Sequence, residues 1–327
     1  MQSIFAVFAS RLRNKETTMK DFVILPDCAC DISEEARRDV GLNDYISGHV
    51  HISDGRDLYA KLDWTEISRE EYYKLLSNKK MKVTTAPPSP AEFFEAFEKY
   101  AKDDIGVISL SLSSAISSTY NFAKSAADEV TKKYPNAKIY CVDTLRMTAG
   151  IGLLAYYACA LKNEGKSFDE VVAWIEENKN KTHQMGPIDD LIFVARRGRI
   201  SMGKAIMGSF AGVKPMAEFN TDGYTTVLTK AKGINKALDI VTKYVKESAI
   251  DIENQVIFIA HSDRDLYAEK LKEKLLELNP KKVYITDVFA ACGGNIGPGM
   301  ISAYFMGATI SSDLSVEKEI LNKITGK

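Results

Sequence analysis

Residues 107–120 read VISLSLSSAISSTY, an apolar run followed by a cluster of hydroxyl side chains. The residues between Val107 and Leu110 suit a buried strand, and NFAKSAADEVTKKY, which comes next, has the spacing of a helix. Hydroxyls and free backbone N–H groups therefore meet where this helix begins, at Ser113, Ser114, Ser117 and Ser118. Such groups favour a carboxylate or phosphate oxygen, although a serine-rich helix cap explains the same residues equally well.

Other strands predicted in the first half of the chain also end in small polar residues. These strand ends are Asp27, Thr85, Ser113 with Ser114, and Asp143 with Thr144. The strands alternate with helices, which favours an α/β fold with a mainly parallel sheet and all these ends on one edge. That edge is where open α/β sheets bind ligands, so we predict a polar cup there. Asp31 is better explained as the cap of the helix around Glu34 to Arg38.

The chain length of 327 residues predicts two domains. We place an N-terminal extension at residues 1–18, because Met19 directly precedes the first predicted strand; an alternative start and a disordered arm explain it equally well. Its apolar run precedes its basic residues, the reverse of a secretory signal. The first α/β domain then spans residues 19–182 and the second spans residues 183–327, with the passage between them at 179–186. Each segment is long enough to form its own core.

The net charge of −1 and the lack of a long basic run argue against a nucleic-acid partner. No apolar stretch reaches the roughly 18 residues that span a bilayer, so we expect no stable membrane insertion. Five cysteines, an odd number without paired CxxC spacing, favour a reduced, cytoplasmic location and no metal site. The partner is then a small molecule or another protein.

Two glycine-rich segments resemble nucleotide-binding motifs, and neither fits. Gly150, Gly152 and Ala155 match G-x-G-x-x-A, but the first glycine lies several residues past the strand and no acidic strand end follows. Close helix packing explains these glycines better. The segment Gly293–Gly299 lacks the lysine and serine of a phosphate-binding loop, so we predict no nucleotide cofactor.

The second half of the chain predicts a hairpin, two more strands and several helices. The hairpin spans residues 216–229, and the strands are 255–260 and one within 281–289. We expect an apolar helix over 300–306 and another that contains Met207 and Phe210. Three arginines flank a glycine in RRGRIS at 196–201, where an anion clamp and a solvated helix end are equally good interpretations.

His261 follows a predicted strand and has Asp263 nearby, so it is a candidate general base. A hydrolase would also need an activated serine, and the sequence has no G-x-S-x-G elbow to hold one. A stand-alone hydrolase or small-molecule kinase is therefore our alternative hypothesis rather than the main one.

Taken together, the motifs of this chain resemble those of the DegV family of bacterial fatty-acid-binding proteins, which includes the carrier subunits of fatty acid kinase. The resemblance runs from about Asp21 to the C-terminus. It rests on a set of motifs in order: PDCACD at 26–31, TTAPPSP at 84–90, SLSSAISSTY at 111–120, Asp143-Thr144, RRGRIS at 196–201, GVKP at 212–215, His261 and GGNIGPG at 293–299.

This resemblance implies two α/β domains with mainly parallel sheets and a long-chain fatty acid between them. The carboxylate would be held by Thr85 and the pair Ser113 and Ser114, with further ligand-binding positions at Asp27, Thr144, Gly294 and Asn295. The protein would carry the fatty acid and catalyse nothing itself, while the catalytic subunit of a fatty acid kinase would bind at Arg199 and Arg197. An acyl tunnel would include apolar residues of both domains, among them Ile116, Met147, Leu153, Met207 and Phe210.

The sequence departs from the family pattern at three positions. Cys28 and Ala86 stand where the family usually has serine, and Asn295 replaces the histidine of the usual His-x-Gly-Pro-Gly. Asparagine donates and accepts hydrogen bonds but carries no titratable proton at neutral pH. A carrier of another amphiphile, without the kinase, is therefore a third hypothesis.

Overall fold

The computed structural model describes residues 21–200 and 212–326. The predicted extension at residues 1–18 lies outside the described residues, and so do Ser201 of the arginine motif and the helix expected around Met207 and Phe210. In the described part of the chain, helices and strands alternate, so the predicted α/β class is confirmed. None of the helices described is both long enough and apolar enough to cross a membrane.

The first half of the chain supplies six strands and six α-helices to the described structure. In chain order they are β1 Phe22–Pro26, α1 Glu34–Val40, β2 Gly48–Ile52, β3 Asp57–Ala60, α2 Arg69–Ser77, β4 Val83–Ala86, α3 Pro90–Ala101, β5 Gly106–Ser111, α4 Thr119–Lys133, β6 Ile139–Asp143, α5 Ala149–Asn163 and α6 Phe168–Asn178. Ser89 caps α3 with Pro90 at its first position, as the sequence predicts.

The second half contributes six further strands within the described residues. Its elements are β7 Thr182–Pro187, α7 Leu191–Arg196, β8 Val213–Phe219, β9 Thr225–Lys232, α8 Ile234–Ser248, β10 Val256–His261, α9 Asp265–Leu276, β11 Lys282–Asp287, α10 Ala290–Ile296, β12 Ile301–Met306 and α11 Ser315–Thr325. Strands β8 and β9 form the predicted hairpin.

Strand β5, which contains Val107 and Leu110, is the centre of a three-stranded parallel sheet in the order β1-β5-β6. Alternate residues of this sheet pack against different helices. Leu25 and Val107 join a core with α3 and α4, whereas Ile24 and Ile108 join the core that contains α5. Because both faces of the sheet are covered, apolar residues of β5 are buried whichever face they point to.

The prediction that Thr85 shares the edge of this parallel sheet is wrong. Strand β4 lies in a separate antiparallel sheet of order β3-β2-β4, in which Thr85 pairs with Val50. Pro87 and Pro88 follow directly, and proline lacks the N–H that would extend a strand ladder. The short strand therefore ends there.

The remaining six strands form one mixed sheet in the order β11-β10-β12-β7-β8-β9. Only β10 and β11 pair in parallel, so the expectation of mainly parallel sheets fits the first sheet and not this one. The segment 300–306, expected as a helix, is the strand β12 between β10 and β7. An apolar run of this length suits a helix or a fully covered strand alike.

Two further segments of the second half also differ from expectation. Residues 179–186, expected as a passage between domains, contain the start of β7, which is buried along its length. Residues 293–299, expected as a loop, begin inside the helix α10. Gly293 and Gly294 let this helix approach Tyr72, Tyr73 and Thr85, because a Cβ there would lie within 3.0 Å of their side chains.

The six-stranded sheet separates two cores. One face packs against α8 and α9 through residues such as Met185, Ile259 and Phe305. The opposite face, with Phe258 and Tyr304, shares its core with α5 and with the parallel sheet. Helix α5 is thus common to both halves of the molecule.

An arm formed by Trp64 and helix α2 also joins the halves. The Trp64 indole donates to Asp287 at 2.8 Å, and Arg69 donates to the other oxygen of the same carboxylate at 2.8 Å. The hydroxyls of Tyr72 and Tyr73 donate to the backbone carbonyls of Ala290 and Val288, at 2.8 and 2.5 Å. Both tyrosines are buried, so these bonds are shielded from water.

Candidate functional site: a cavity between the two halves

A cavity enclosing about 1130 Å³ of empty space, including its open mouth, lies between the two halves. Apolar side chains from both halves make up much of its wall, among them Leu112, Ile116, Ile188 and Val227. The predicted tunnel residues Ile116 and Met147 lie on this wall, whereas Leu153 is fully buried elsewhere in the core.

Thr85 and Asn295 meet on the cavity wall from distant parts of the chain. The side-chain amide of Asn295 donates to the Thr85 hydroxyl oxygen at 2.8 Å and to the Ala291 carbonyl at 3.1 Å. These bonds orient the Asn295 amide and leave the Thr85 hydroxyl hydrogen free to donate, because its oxygen is the acceptor. The pair is half-buried and within reach of a ligand.

Gly294 lies directly behind this pair and is not itself on the cavity wall. A Cβ at this position would lie 2.7 Å from the Thr85 methyl and 2.8 Å from the Tyr72 hydroxyl oxygen. The glycine therefore fixes the distance between helix α10 and strand β4, and with it the position of Thr85.

Asp27 also lies on the cavity wall and is only 2% exposed. Its two oxygens accept hydrogen bonds from the backbone N–H groups of Ala29 and Leu112, at 2.6 and 2.7 Å. Burial raises the pKa of Asp27 to about 6, and these two bonds counteract part of that rise. Asp27 thus links the end of β1 to the serine-rich segment after β5.

The serine cluster after β5 divides into two groups. Ser113 is fully buried and donates to the Gly223 carbonyl at 2.8 Å, while Ser114 is exposed and donates to Asp143 at 2.5 Å. Neither lies on the cavity wall, where the chain instead presents Ser117 and Thr119, whose hydroxyls are 2.7 Å apart. The sequence shows all these hydroxyls without indicating which of them face inward.

Thr144 is buried at the end of β6 and is not on the cavity wall. Its hydroxyl donates to the Ser111 carbonyl at 2.7 Å and accepts from the backbone N–H of Arg146 at 3.2 Å. Its hydroxyl therefore links the end of β5 to the turn that follows β6.

The two predicted partner-binding arginines occupy different environments. Arg197 donates to the Val83 carbonyl at 2.5 Å and lies over the Phe193 ring at 4.9 Å, so it connects α7 to the strand that carries Thr85. Burial lowers the pKa of Arg197. Arg199 is exposed and also borders the cavity, which places a cationic group at its mouth.

His261 lies outside the cavity wall, among the groups that hold the arm. Its Nδ1 accepts from the Arg264 N–H at 3.2 Å, and its Nε2 is 3.6 Å from an Asp287 oxygen. Burial lowers the pKa of His261. Within residues 21–200 and 212–326, no serine hydroxyl is hydrogen-bonded to either ring nitrogen, and Ser262 accepts from the Met300 N–H instead.

Cys28 and Cys292 also border the cavity, and burial raises the pKa of both thiols. They are therefore protonated at neutral pH and contribute apolar surface. No cluster of three His, Cys, Asp or Glu side chains suited to a metal ion occurs in the part of the chain that the structure describes. The wall thus combines hydrocarbon with a few neutral hydroxyl and amide groups.

A largely apolar cavity between two α/β halves, with a few polar groups on its wall, has the features of a small-molecule binding site. A family model described as an uncharacterised protein of the DegV family matches residues 21–307. The chain therefore belongs to the DegV family, as its motifs suggest. A DegV domain-containing protein of Clostridium perfringens is 37% identical over 292 residues, which cover 89% of this chain and 99% of that protein.

Solved structures share the fold. A Thermotoga maritima protein described as having fatty acid binding function has a TM-score of 0.75 at 22% identity, over 88% of this chain and 99% of that one. The Streptococcus pneumoniae Fatty Acid Kinase B3 protein, loaded with linoleic acid, has a TM-score of 0.74 at 18% identity over the same shares. At these identities the likeness establishes the architecture alone.

Proposed function

We propose that this protein binds a long-chain fatty acid in the cavity between its halves and presents the carboxylate to the catalytic subunit of a fatty acid kinase. The observation that carries the proposal is the cavity itself, in which an apolar wall is combined with the hydrogen-bonded pair Thr85 and Asn295. The solved relatives described as fatty-acid-binding proteins support it.

In this proposal the carboxylate lies against Thr85 and Ser117 and accepts from their hydroxyls. Asn295, whose two amide hydrogens are given to Thr85 and Ala291, holds the Thr85 hydroxyl in place. Hydroxyl groups donate to a carboxylate without requiring a buried cation, and charge-assisted bonds of this kind contribute about 1.5–3 kcal/mol each. The pair Ser113 and Ser114, which the family resemblance implies, would have to give up the bonds to Gly223 and Asp143.

The tail supplies the larger part of the affinity. Burying a dozen methylene groups is worth on the order of 10 kcal/mol before entropic costs, at about 0.8 kcal/mol for each group. The polar groups then determine which end of the molecule lies near the opening and Arg199.

The partner is proposed to dock where Arg199 is exposed at the cavity mouth. A kinase that phosphorylates the bound carboxylate needs access to that end of the ligand, and a guanidinium group suits an acidic partner surface. Asn295 cannot relay a proton as histidine can. We therefore expect Asn295→His to raise the rate of acyl phosphate formation with a cognate kinase, and Arg199→Glu to weaken that kinase's binding while fatty acid affinity is kept.

Mass spectrometry of lipid extracted from the purified, denatured protein tests the binding proposal. A stoichiometric fatty acid supports it; an empty extract, together with no uptake of added palmitate or oleate, contradicts it. The double variant Thr85→Val/Asn295→Leu should lose most of its occupancy. Ser114→Ala separates the two assignments of the carboxylate site, because the geometry predicts full occupancy and the sequence-based assignment predicts a loss.

The alternative of a stand-alone hydrolase using His261 has less support. Its ring lies off the cavity wall, and its Nδ1 is occupied by the Arg264 N–H. Turnover of an acyl ester by the isolated protein, lost in His261→Gln, would favour that alternative over the carrier.

A further inference from the structure

Gln184 places a polar side chain inside the hydrocarbon part of the cavity. It lies in strand β7, is 3% exposed, and forms part of the cavity wall. Its neighbours His183 and Met185 belong to the other face of the sheet, where His183 contacts Tyr244 and Met185 joins the core under α8. Because side chains alternate along a strand, the Gln184 side chain points toward the cavity, beside its cross-strand partner Tyr304.

The amide of this side chain has no partner within the described residues. The backbone N–H of Gln184 donates to Glu218 at 2.7 Å, but no described group donates to or accepts from its side-chain amide. Leaving a buried amide unpaired costs about 1–3 kcal/mol, whereas methionine or leucine would fill the same space at no such cost. A group of this kind on a cavity wall is explained if the ligand supplies its partner.

Two other hydroxyls of the wall already donate to neighbouring side chains. Thr148 donates to the Tyr304 hydroxyl oxygen at 2.5 Å, and Thr225 donates to the Met147 sulfur at 3.4 Å. The apolar side chains Ile188 and Val227 complete this part of the cavity. Gln184 therefore adds an amide that faces the cavity space, in a mainly hydrocarbon part of the wall.

We propose that Gln184 binds a hydroxyl group carried on the acyl chain, so that the preferred ligand is a hydroxylated long-chain fatty acid. This inference rests on the proposed function. A primary amide donates through its N–H and accepts through its carbonyl, and a hydroxyl is the uncharged group that uses both. A second carboxylate would need a cation beside it. The described charged residues of the wall are Asp27, which is acidic, and Arg199, which we place at the mouth.

The two polar positions belong to different sheets. Thr85 lies in the sheet β3-β2-β4, where it meets Asn295, while Gln184 lies in the six-stranded sheet. A ligand that satisfies both positions therefore carries two polar groups separated by hydrocarbon. A hydroxylated fatty acid has that pattern, and one without a substituent on its chain does not.

The test compares two proteins and two kinds of ligand. Delipidated wild type and Gln184→Met, which keeps an unbranched side chain of similar length, are titrated with stearate and with monohydroxystearates whose hydroxyl is moved along the chain. For at least one hydroxyl position, wild type should prefer the hydroxylated ligand over stearate about tenfold more than the variant does. Changes common to both ligands cancel in this comparison.

A preference ratio that is the same in both proteins at every hydroxyl position would overturn the inference and leave fatty acid binding intact; a retained water that satisfies the amide would give that result. No binding of stearate or of any hydroxystearate by wild type would instead overturn the proposed function itself. Thermal unfolding checks that the variant folds, and Gln184→Leu replaces Gln184→Met if it does not.

Discussion

Asn295 reaches Thr85 across 210 positions of sequence, and the side chains of this one pair provide the polar contact that we assign to the ligand carboxylate. Replacing Asn295 with aspartate keeps the shape and adds a negative charge. Two like charges about 4 Å apart repel by about 4 kcal/mol at the effective dielectric of a protein surface. We expect Asn295→Asp to bind palmitate at least tenfold more weakly than Asn295→Ala at pH 8, measured by calorimetry. Equal affinities would place the carboxylate elsewhere.

Asp27 gives a prediction for the dependence of stability on pH. Its pKa is raised to about 6 by burial, so between the ordinary value of 3.8 and 6 the folded protein holds a proton that the unfolded chain releases. The contribution of Asp27 is therefore most favourable below pH 4 and is lost as the pH rises through 6. Asp27→Asn has no such loss. The difference in free energy of unfolding between wild type and this variant should therefore shrink by about 3 kcal/mol between pH 4 and pH 7.

Chemical denaturation at a series of pH values measures this difference. The two oxygens of the Asp27 carboxyl group face two backbone donors, and the amide nitrogen of asparagine cannot accept from the second of these, so the variant should be less stable than wild type at pH 4. A stability difference that stays constant from pH 4 to pH 7 would show that Asp27 does not titrate in this range.

At the scale of single residues, the sequence indicates which types of group form the cavity but not which of them face it. Asp27, Thr85 and Asn295 are predicted as ligand-binding positions and do lie on the wall. Ser117 is part of the predicted hydroxyl cluster, yet its inward position depends on tertiary contacts. The Ser113 hydroxyl instead donates to the Gly223 carbonyl, which lies 110 positions further along the chain. No local sequence pattern reveals this contact.

At the scale of elements, helix α5 is the feature on which both halves depend. A Cβ at Gly152 would lie 2.5 Å from the Cys30 carbonyl oxygen and 3.2 Å from the Ile32 Cβ. Alanine favours an isolated helix by about 1 kcal/mol, so any loss of stability must come from this contact. We expect Gly152→Ala to lower the free energy of unfolding by about 1–3 kcal/mol in urea denaturation.

Ala160→Gly in the same helix is the matched control, because it reverses the substitution where the side chain is only partly buried. It should cost no more than about 1 kcal/mol. A neutral or stabilising Gly152→Ala would show that the loop after β1 can move away without penalty. The contacts of Gly150 with Phe219 and of Gly152 with Cys30 agree with the interpretation of these glycines as close helix contacts.

The elements that the sequence predicts well have a strong local signal. Ser89 with Pro90 fixes the start of α3, and Ser167 fixes that of α6 with a capping box. The strand β12 is missed because an apolar run carries no period when both faces are covered. Strand β7 is missed for a different reason: it ends in Gly186 and Pro187, and a Gly-Pro pair usually marks a turn.

At the scale of the whole molecule, a ligand held by both halves should stabilise the folded chain as a unit. Binding to the native state alone adds about 2.7 kcal/mol at a free ligand concentration of 100 times Kd. Adding palmitate to delipidated protein should therefore raise Tm with increasing concentration, measured by scanning calorimetry. The double variant Thr85→Val/Asn295→Leu should need a higher concentration for the same shift, and a Tm that palmitate leaves unchanged in wild type would contradict the proposal.

The arrangement of the halves is only partly visible in the sequence. Alternating strands and helices indicate the α/β class, and the set of motifs indicates the family. The mixed six-stranded sheet follows instead from long-range pairing, in which β12 inserts between β10 and β7. The arm of Trp64 and Arg69 is likewise hidden, because its partner Asp287 is more than 200 positions away.

The two tyrosines of that arm have an evolutionary consequence. Their hydroxyls bind the main-chain oxygens of Val288 and Ala290, and every amino acid offers the same oxygen. Point mutations at those two positions therefore leave the acceptors unchanged, provided that the new side chains fit. Related proteins can therefore change residues on one side of this contact without a compensating change on the other side. Chimaeras that exchange halves between related genes should still assemble.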